Sequence, residues 1–270
     1  MNAPTPDALP DQAAPAQPAP YVAENTPLVR LNPLPLAAPW RWLRLGWRDF
    51  TRAPLVGMFY GGCFAVMGEL LVLLFRHAPA AVLALSAGFL LVGPFLCLGL
   101  YDVSRRLERG EPPRLAASLV AWRRRTGTMA IFGTVLLVLE MVWARASLVV
   151  FALSFDGMPD FKGSLLALLN PENTTFIAAY LAVGGLFATL IFAVSVVAMP
   201  MILDRETDAI TAGLTSIRLC LAQPGLMLVW GATITLLVAI AMLPWFAGLL
   251  VVGPVLGHAS WHAYRAAVGT

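Results

Sequence analysis

Residues 79–106, PAAVLALSAGFLLVGPFLCLGLYDVSRR, contain more than twenty positions without a charge and then, past Tyr101, a paired Arg105-Arg106. An apolar run of that length matches the hydrocarbon thickness of a bilayer as a helix, about 20 residues. Arginines just beyond one end of such a run are retained on the cytoplasmic side. Working outward, hydropathy places five further runs of this kind at 55–75, 128–155, 174–201, 225–243 and 245–263. The last two nearly touch, and Met242-Leu243-Pro244-Trp245 divides them. Proline disfavours helix at the residue before it, and tryptophan sits well at a membrane interface. The fold class expected is all-α, a polytopic membrane protein of about six transmembrane helices.

Composition agrees. Hydrophobic residues make up 59% of the chain and charged residues only 12%, against about 25% charged in an ordinary soluble domain. The spans leave no room in 270 residues for a separate soluble catalytic domain. Residues 1–39 hold ten of the twenty-one prolines and are expected to be a disordered Pro/Ala-rich cytoplasmic tail. The six-helix transmembrane domain is expected over 40–270. No signal peptide is read at the start, so the first span is expected to act as an uncleaved insertion signal.

Charge fixes the expected orientation. Of the eighteen basic residues, fifteen fall on the side of the N-terminus, Arg76 and Lys162 on the other, and Arg145 inside a span. Both termini are therefore expected in the cytoplasm. A net charge of +3 could point to nucleic acid, but the basic residues flank apolar spans and no nucleic-acid motif is present. Anionic lipid headgroups are the expected partner, with a membrane-protein partner or a second copy of the chain as the other expected contact.

A shift of 160 positions aligns Gly88, Val92, Gly93, Pro94, Leu96 and Arg105 with Gly248, Val252, Gly253, Pro254, Leu256 and Arg265. A shift of 170 aligns Arg48, Pro54 and Gly61 with Arg218, Pro224 and Gly231, and a fainter echo aligns Ser118, Gly127 and Gly133 with Ser216, Gly225 and Gly231. The pattern suggests repeated helical hairpins, each preceded by a juxtamembrane amphipathic helix. Gly93-Pro94 and Gly253-Pro254 are expected to kink their spans, since proline removes a backbone hydrogen bond.

From Trp40 to Phe50, apolar residues at 40, 43, 47 and 50 recur at helical spacing with Arg41, Arg44 and Arg48 between them. Such a helix would lie at the headgroups with its arginines toward phosphate. Arg123, Arg124 and Arg125, after Trp122, have the same character. The stretches WRWLRLGWRDFTRAP and FLLVGPFLCLGLYDVSRRLERGEPP resemble a family of uncharacterised, predicted integral membrane proteins from proteobacteria, with similarity running from about Trp40 to the end. The resemblance implies a six-span fold in a bacterial inner membrane and brings no activity or catalytic residues with it.

Glu69, Glu140 and Arg145 are the ionisable residues inside spans. A charge at the bilayer centre costs at least about 2.5 to 3.5 kcal/mol, so an intramembrane cluster is expected in which Glu69 approaches Arg145 and Glu140 shares its guanidinium. His258 and His262 are spaced i to i+4, which could present two nitrogens to a metal or haem; beside Trp261, Tyr264 and Arg265 they read instead as an interfacial polar belt. No metal and no cofactor are expected. Asp204 to Asp208 reads as a solvated helix start. There is no Gly-x-Ser-x-Gly elbow, HExxH or phosphate-binding glycine loop, and no catalytic residue is assigned. The function expected is non-enzymatic, through lipid or membrane-protein interaction. The alternatives are a channel or transporter with a polar site between kinked helices, and a membrane-embedded lipid-processing enzyme.

Overall fold

The computed structural model describes residues 29–77, 79–154 and 174–269; the first 28 residues of the expected tail and the loop around Lys162 lie outside them. The described residues form α1 (Ala38–Arg52), α2 (Pro54–His77), α3 (Pro79–Glu108), α4 (Leu115–Leu119), α5 (Thr126–Ser154), α6 (Thr174–Ser195), α7 (Ala198–Asp204), α8 (Ala209–Ala222), α9 (Pro224–Met242) and α10 (Leu249–Ala267), with a 3₁₀ turn over Ala121–Arg125. Among them there is no strand beyond an isolated bridge between Leu31 and Val268. The protein is an all-α polytopic membrane protein, and the six expected runs coincide with α2, α3, α5, α6 extended by α7, α9 and α10. Four stretches, Pro54–Leu74, Thr126–Ser154, Thr174–Asp204 and Pro224–Met242, are long and apolar enough by themselves to cross a membrane.

Prolines open several of these helices, α2 at Pro54, α3 at Pro79 and α9 at Pro224, where the missing N–H costs no hydrogen bond. Between α9 and α10 the chain reverses through Trp245 and Phe246, both with positive φ (50° and 59°), a conformation unfavourable for side chains of this size. The Phe246 ring packs against Gly68 of α2, which offsets part of that cost.

α10 is the hub. α1, α2, α3 and α9 all pack on it, while α5 and α6 pair with each other and join the rest through α3 and α8. The α1 contact is close because Gly46 has no side chain: a methyl there would come within 2.5 Å of the Val255 carbonyl oxygen and 2.8 Å of the Ala259 nitrogen. Gly61 of α2 likewise lies directly on the Leu250 backbone. Small residues that let two backbones approach are the usual device for gaining dispersion energy where lipid removes the hydrophobic drive.

The buried core is uneven along the bundle. It gathers at the end where α1, α7 and α8 sit, with Trp42, Leu98, Leu100, Met129, Met201, Leu219, Trp230 and Trp261 all almost fully enclosed. Trp42 and Trp230 meet edge to face with ring centroids 5.3 Å apart, a favoured aromatic geometry. Towards the other end the helices expose Leu73, Leu148, Leu153, Leu181, Leu186 and Leu236, the pattern of surfaces facing acyl chains. Residues 29–37, assigned to the tail by composition, are tied down: Asn32 N donates to the Ala267 carbonyl (2.9 Å), Gly269 N to the Arg30 carbonyl (3.0 Å), and Leu34 N to Gln223 Oε1 (3.0 Å). The backbone donors of Asn32 and Leu34 are thus met by the ends of α10 and α8.

Gly46→Ala is expected to lower the melting temperature of the detergent-solubilised protein by an amount equivalent to about 1 to 3 kcal/mol, the range for overpacking. Gly185→Ala, in α6 where a methyl meets nothing within 4 Å, should leave melting unchanged or raise it slightly.

Candidate functional site

At the basic end of the bundle, polar side chains from α1, α3, α7 and α10 converge. Asp49 faces inward from α1 because it follows Trp42 and Gly46 at helical spacing on the buried stripe. The buried stripe of α1 consists of Trp42, Gly46, Asp49 and Phe50, while Trp40 and Trp47 are exposed. The Asp49 carboxylate is 1% exposed and its Oδ2 lies 2.8 Å from His262 Nε2. An ionised carboxylate can only accept, so the imidazole donates. His262 Nδ1 lies 3.6 Å from Glu108 Oε1, and Arg265 Nε lies 3.3 Å from Glu108 Oε2. Burial pushes the Asp49 carboxyl up, but the His262 hydrogen bond and charge, with the Ser104 hydroxyl, outweigh it and hold the group below its ordinary value of 3.8.

The chain of contacts continues. Arg265 and Tyr264 both reach Asp204 Oδ2, at 3.3 and 3.0 Å. Arg205 Nε donates to the Tyr264 hydroxyl oxygen (3.0 Å), and its NH2 donates to the carbonyls of Val268 and Gly269. Asp102 pairs with both Arg105 and Arg106, the latter at 2.7 Å, and Arg105 also donates to the Leu203 carbonyl at 3.1 Å. The Asp102 carboxylate holds the Arg106 guanidinium above its ordinary value, against an opposing effect of burial. Nearby, Ser104 and His258 Nδ1 are 2.8 Å apart with both groups buried.

The histidine pair is therefore no interfacial belt. His258 and His262 are both buried, because α1 and α3 cover the face of α10 that carries them. Among the described residues no group of three or more histidine, cysteine, aspartate or glutamate side chains could hold a metal ion. Asp204, read as part of a solvated helix start, is an acceptor for Tyr264 and Arg265, while Asp208 does cap α8, accepting from Ile210 N and Thr211 N at 2.9 Å each.

The intramembrane charges are not brought together. Glu69 is exposed on α2 and Arg145 is exposed on α5, and among the described residues no ion pair joins Glu69, Glu140 and Arg145. Glu140 is different: it is 4% exposed, and its Oε2 has no hydrogen-bond partner. Pro94 and Pro254 both lie inside continuous helices.

On α1, Arg41, Arg44 and Arg48 are all exposed, and Arg41 and Arg44 form no ion pair among the described residues. Arg123 is exposed over the Trp122 ring, 5.6 Å from its centroid. Arg125 turns to Glu206 at 2.9 Å, and the Arg124 side chain lies outside the described residues. Beside α1 runs a groove of about 860 Å³. Leu34, Trp42 and Leu45 form its apolar wall, and Asn32, Arg41, Arg48, Glu108, His262 and Arg265 its polar border, with Glu108 already paired to His262 and Arg265.

Sequence reasoning missed Asp49, Asp102 and Asp204 as structural acids. Asp102 had a signal, since Arg105 and Arg106 stand three and four residues on, the spacing of facing helical pairs. Residues 82–204 match the model of a family described as a predicted integral membrane protein, DUF2189. The match runs from α3 to α7, less than half of the chain, and reaches neither α1 nor α10. No curated protein matches the chain, and no solved structure does.

Because the Asp49 carboxyl is held below its ordinary value, it stabilises the fold above the usual carboxylate range, and that contribution is lost as pH falls through its lowered folded value. Asp49→Asn should weaken the protein by about 1 to 3 kcal/mol at neutral pH. It should also flatten the acid limb of a melting-temperature profile taken from pH 6 to pH 3. An unchanged acid limb would show that another group controls it.

Proposed function

We propose that this integral membrane protein, whose segment 82–204 matches the model of a family described as a predicted integral membrane protein, acts without catalysis by holding anionic phospholipid at the cytoplasmic face of a bacterial inner membrane. The observation that carries the reading is the groove beside α1, where Arg41 and Arg48 stand over the apolar wall of Leu34, Trp42 and Leu45. A phosphate is matched by the guanidinium border and a glycerol-acyl stem by the wall. Trp40 and Trp47, exposed on the same helix, suit the headgroup level. On α8, exposed Ile210, Leu214 and Leu221 recur at helical spacing and offer a second contact with the interface. The order of elements also supports the repeat: α1, the α4 segment and α8 each precede two long helices.

Native mass spectrometry after mild extraction from vesicles of equal phosphatidylglycerol and phosphatidylcholine should find the anionic lipid retained. Arg41→Gln with Arg48→Gln should cut that retention roughly thirty-fold, at about 1 kcal/mol per arginine. Equal retention of the two lipids would count against the reading. For the orientation, reporter fusions after Arg109 and at the C-terminus should report cytoplasm and a fusion after His77 the opposite side; a C-terminus on the outer side would overturn it.

A further inference from the structure

Between α5 and α6 lies a second cavity, of about 360 Å³, remote in sequence from the groove and independent of the lipid reading. Glu140 lines it from α5 together with Trp143, and Gly184, Phe187, Phe192 and Ser195 line it from α6. The cavity exists because α6 offers Gly184 opposite Trp143: a methyl on Gly184 would still be 3.9 Å from the indole nitrogen. Its volume falls in the range of small-molecule sites, roughly 300 to 1,000 Å³.

Glu140 makes this more than a packing gap. Its side chain is 4% exposed, and Oε2 finds no donor, whereas buried carboxylate oxygens are nearly always met. Ser195 does not meet it, for its hydroxyl donates to the Ile191 carbonyl at 2.7 Å. The missing partner must therefore bring a donor, and preferably a positive charge. A hard metal ion would need several more oxygen ligands, which these walls do not supply. An anion would be repelled. Three aromatic rings beside one carboxylate are instead the surroundings that favour an organic cation, with ring faces attracting its charge.

We propose that this cavity binds a small organic ammonium ion, its nitrogen on the Glu140 carboxylate and its carbon groups against Trp143, Phe187 and Phe192. The source is a solute amine and not an aminophospholipid headgroup. Glu140 stands about 21 Å along α5 from Thr126, at roughly 1.5 Å per residue, well inside a hydrocarbon layer of about 30 Å.

The test is isothermal titration of the full chain in dodecyl maltoside, which carries no amine, with n-butylammonium and its neutral analogue n-butanol. Saturable binding of the amine is expected, at least ten-fold tighter than the alcohol. Glu140→Gln should lose ten-fold or more, and Phe187→Leu two- to five-fold. Equal binding of amine and alcohol, no saturable binding at millimolar amine, or full binding by Glu140→Gln would each overturn the proposal. Should Glu140→Gln fail to fold, Ala188→Phe, which fills the cavity from α6 and leaves Glu140 in the chain, takes its place: lost binding supports the site and retained binding overturns it. A further titration in vesicles containing phosphatidylethanolamine separates the sources. Unchanged affinity fits a solute amine, and competition by that lipid overturns the assignment to a solute.

Discussion

The approach of α1 to α10 is the constraint on which the basic end of the molecule depends. Gly46 lets the two backbones close to a distance no side chain would allow, and that closeness brings Asp49 onto His262 at 2.8 Å. The two effects need each other. A carboxylate buried this fully costs several kcal/mol unless it is paired and hydrogen-bonded, so α1 could not dock with Asp49 inward if His262 were one turn away. Conversely, without the glycine the pair could not form, and Asp49 would have to point to water. Once they meet, Glu108 and Arg265 extend the pairing, and Asp204 and Arg205 connect it to the chain's final residues.

This concentration of polar pairing explains why the core lies at one end. Where α1, α7 and α8 cover the long helices, most buried polar side chains are met by protein partners, although Trp230 Nε1, Trp261 Nε1 and His258 Nε2 have none. Towards the other end no short helix intervenes among the described residues, and lipid can serve as the apolar neighbour. There the helices need no dense mutual packing, since leucine gains little by exchanging acyl chains for another leucine. The unequal burial of α6, none of whose residues is fully buried, follows from the same argument.

Hydropathy made the spans legible because a 20-residue apolar run has few other physical explanations. The junction at Pro244 was legible for a similarly local reason. The charged residues were read less well. Depth alone suggested that Glu69 and Arg145 belong together, but depth says nothing about azimuth, and both residues are exposed with no ion pair between them among the described residues. Arg105, counted for orientation, is buried between Asp102 and the Leu203 carbonyl. The rule of positive charge on one side concerns where a residue lies along the membrane normal and is silent on whether water reaches it. Asp49 was legible only in combination: an acid in register with Trp42 and Gly46 sits on the stripe that must be buried. The apolar positions at 40, 43, 47 and 50 do not mark that stripe, since Trp40 and Trp47 are exposed and tryptophan is welcome at a membrane interface.

The two Gly-Pro pairs show how one motif can serve two surroundings. Gly253 faces the Phe64 ring of α2, and Pro254 is buried in the hub helix. A methyl on Gly93 would meet nothing within 4 Å among the described residues. The same sequence thus stands in a crowded helix interface in α10 and beside open space in α3. A proline leaves one carbonyl in the preceding turn without its usual donor in both helices, but the consequences differ. In α10 neighbouring helices hold the backbone in place, so glycine is needed for packing. In α3 no neighbour presses on the glycine, and the pair retains its capacity to bend. A shared Gly-Pro pair therefore does not give the two helices the same surroundings: α10 is held on several sides as the hub, while Gly93 of α3 has no close neighbour among the described residues.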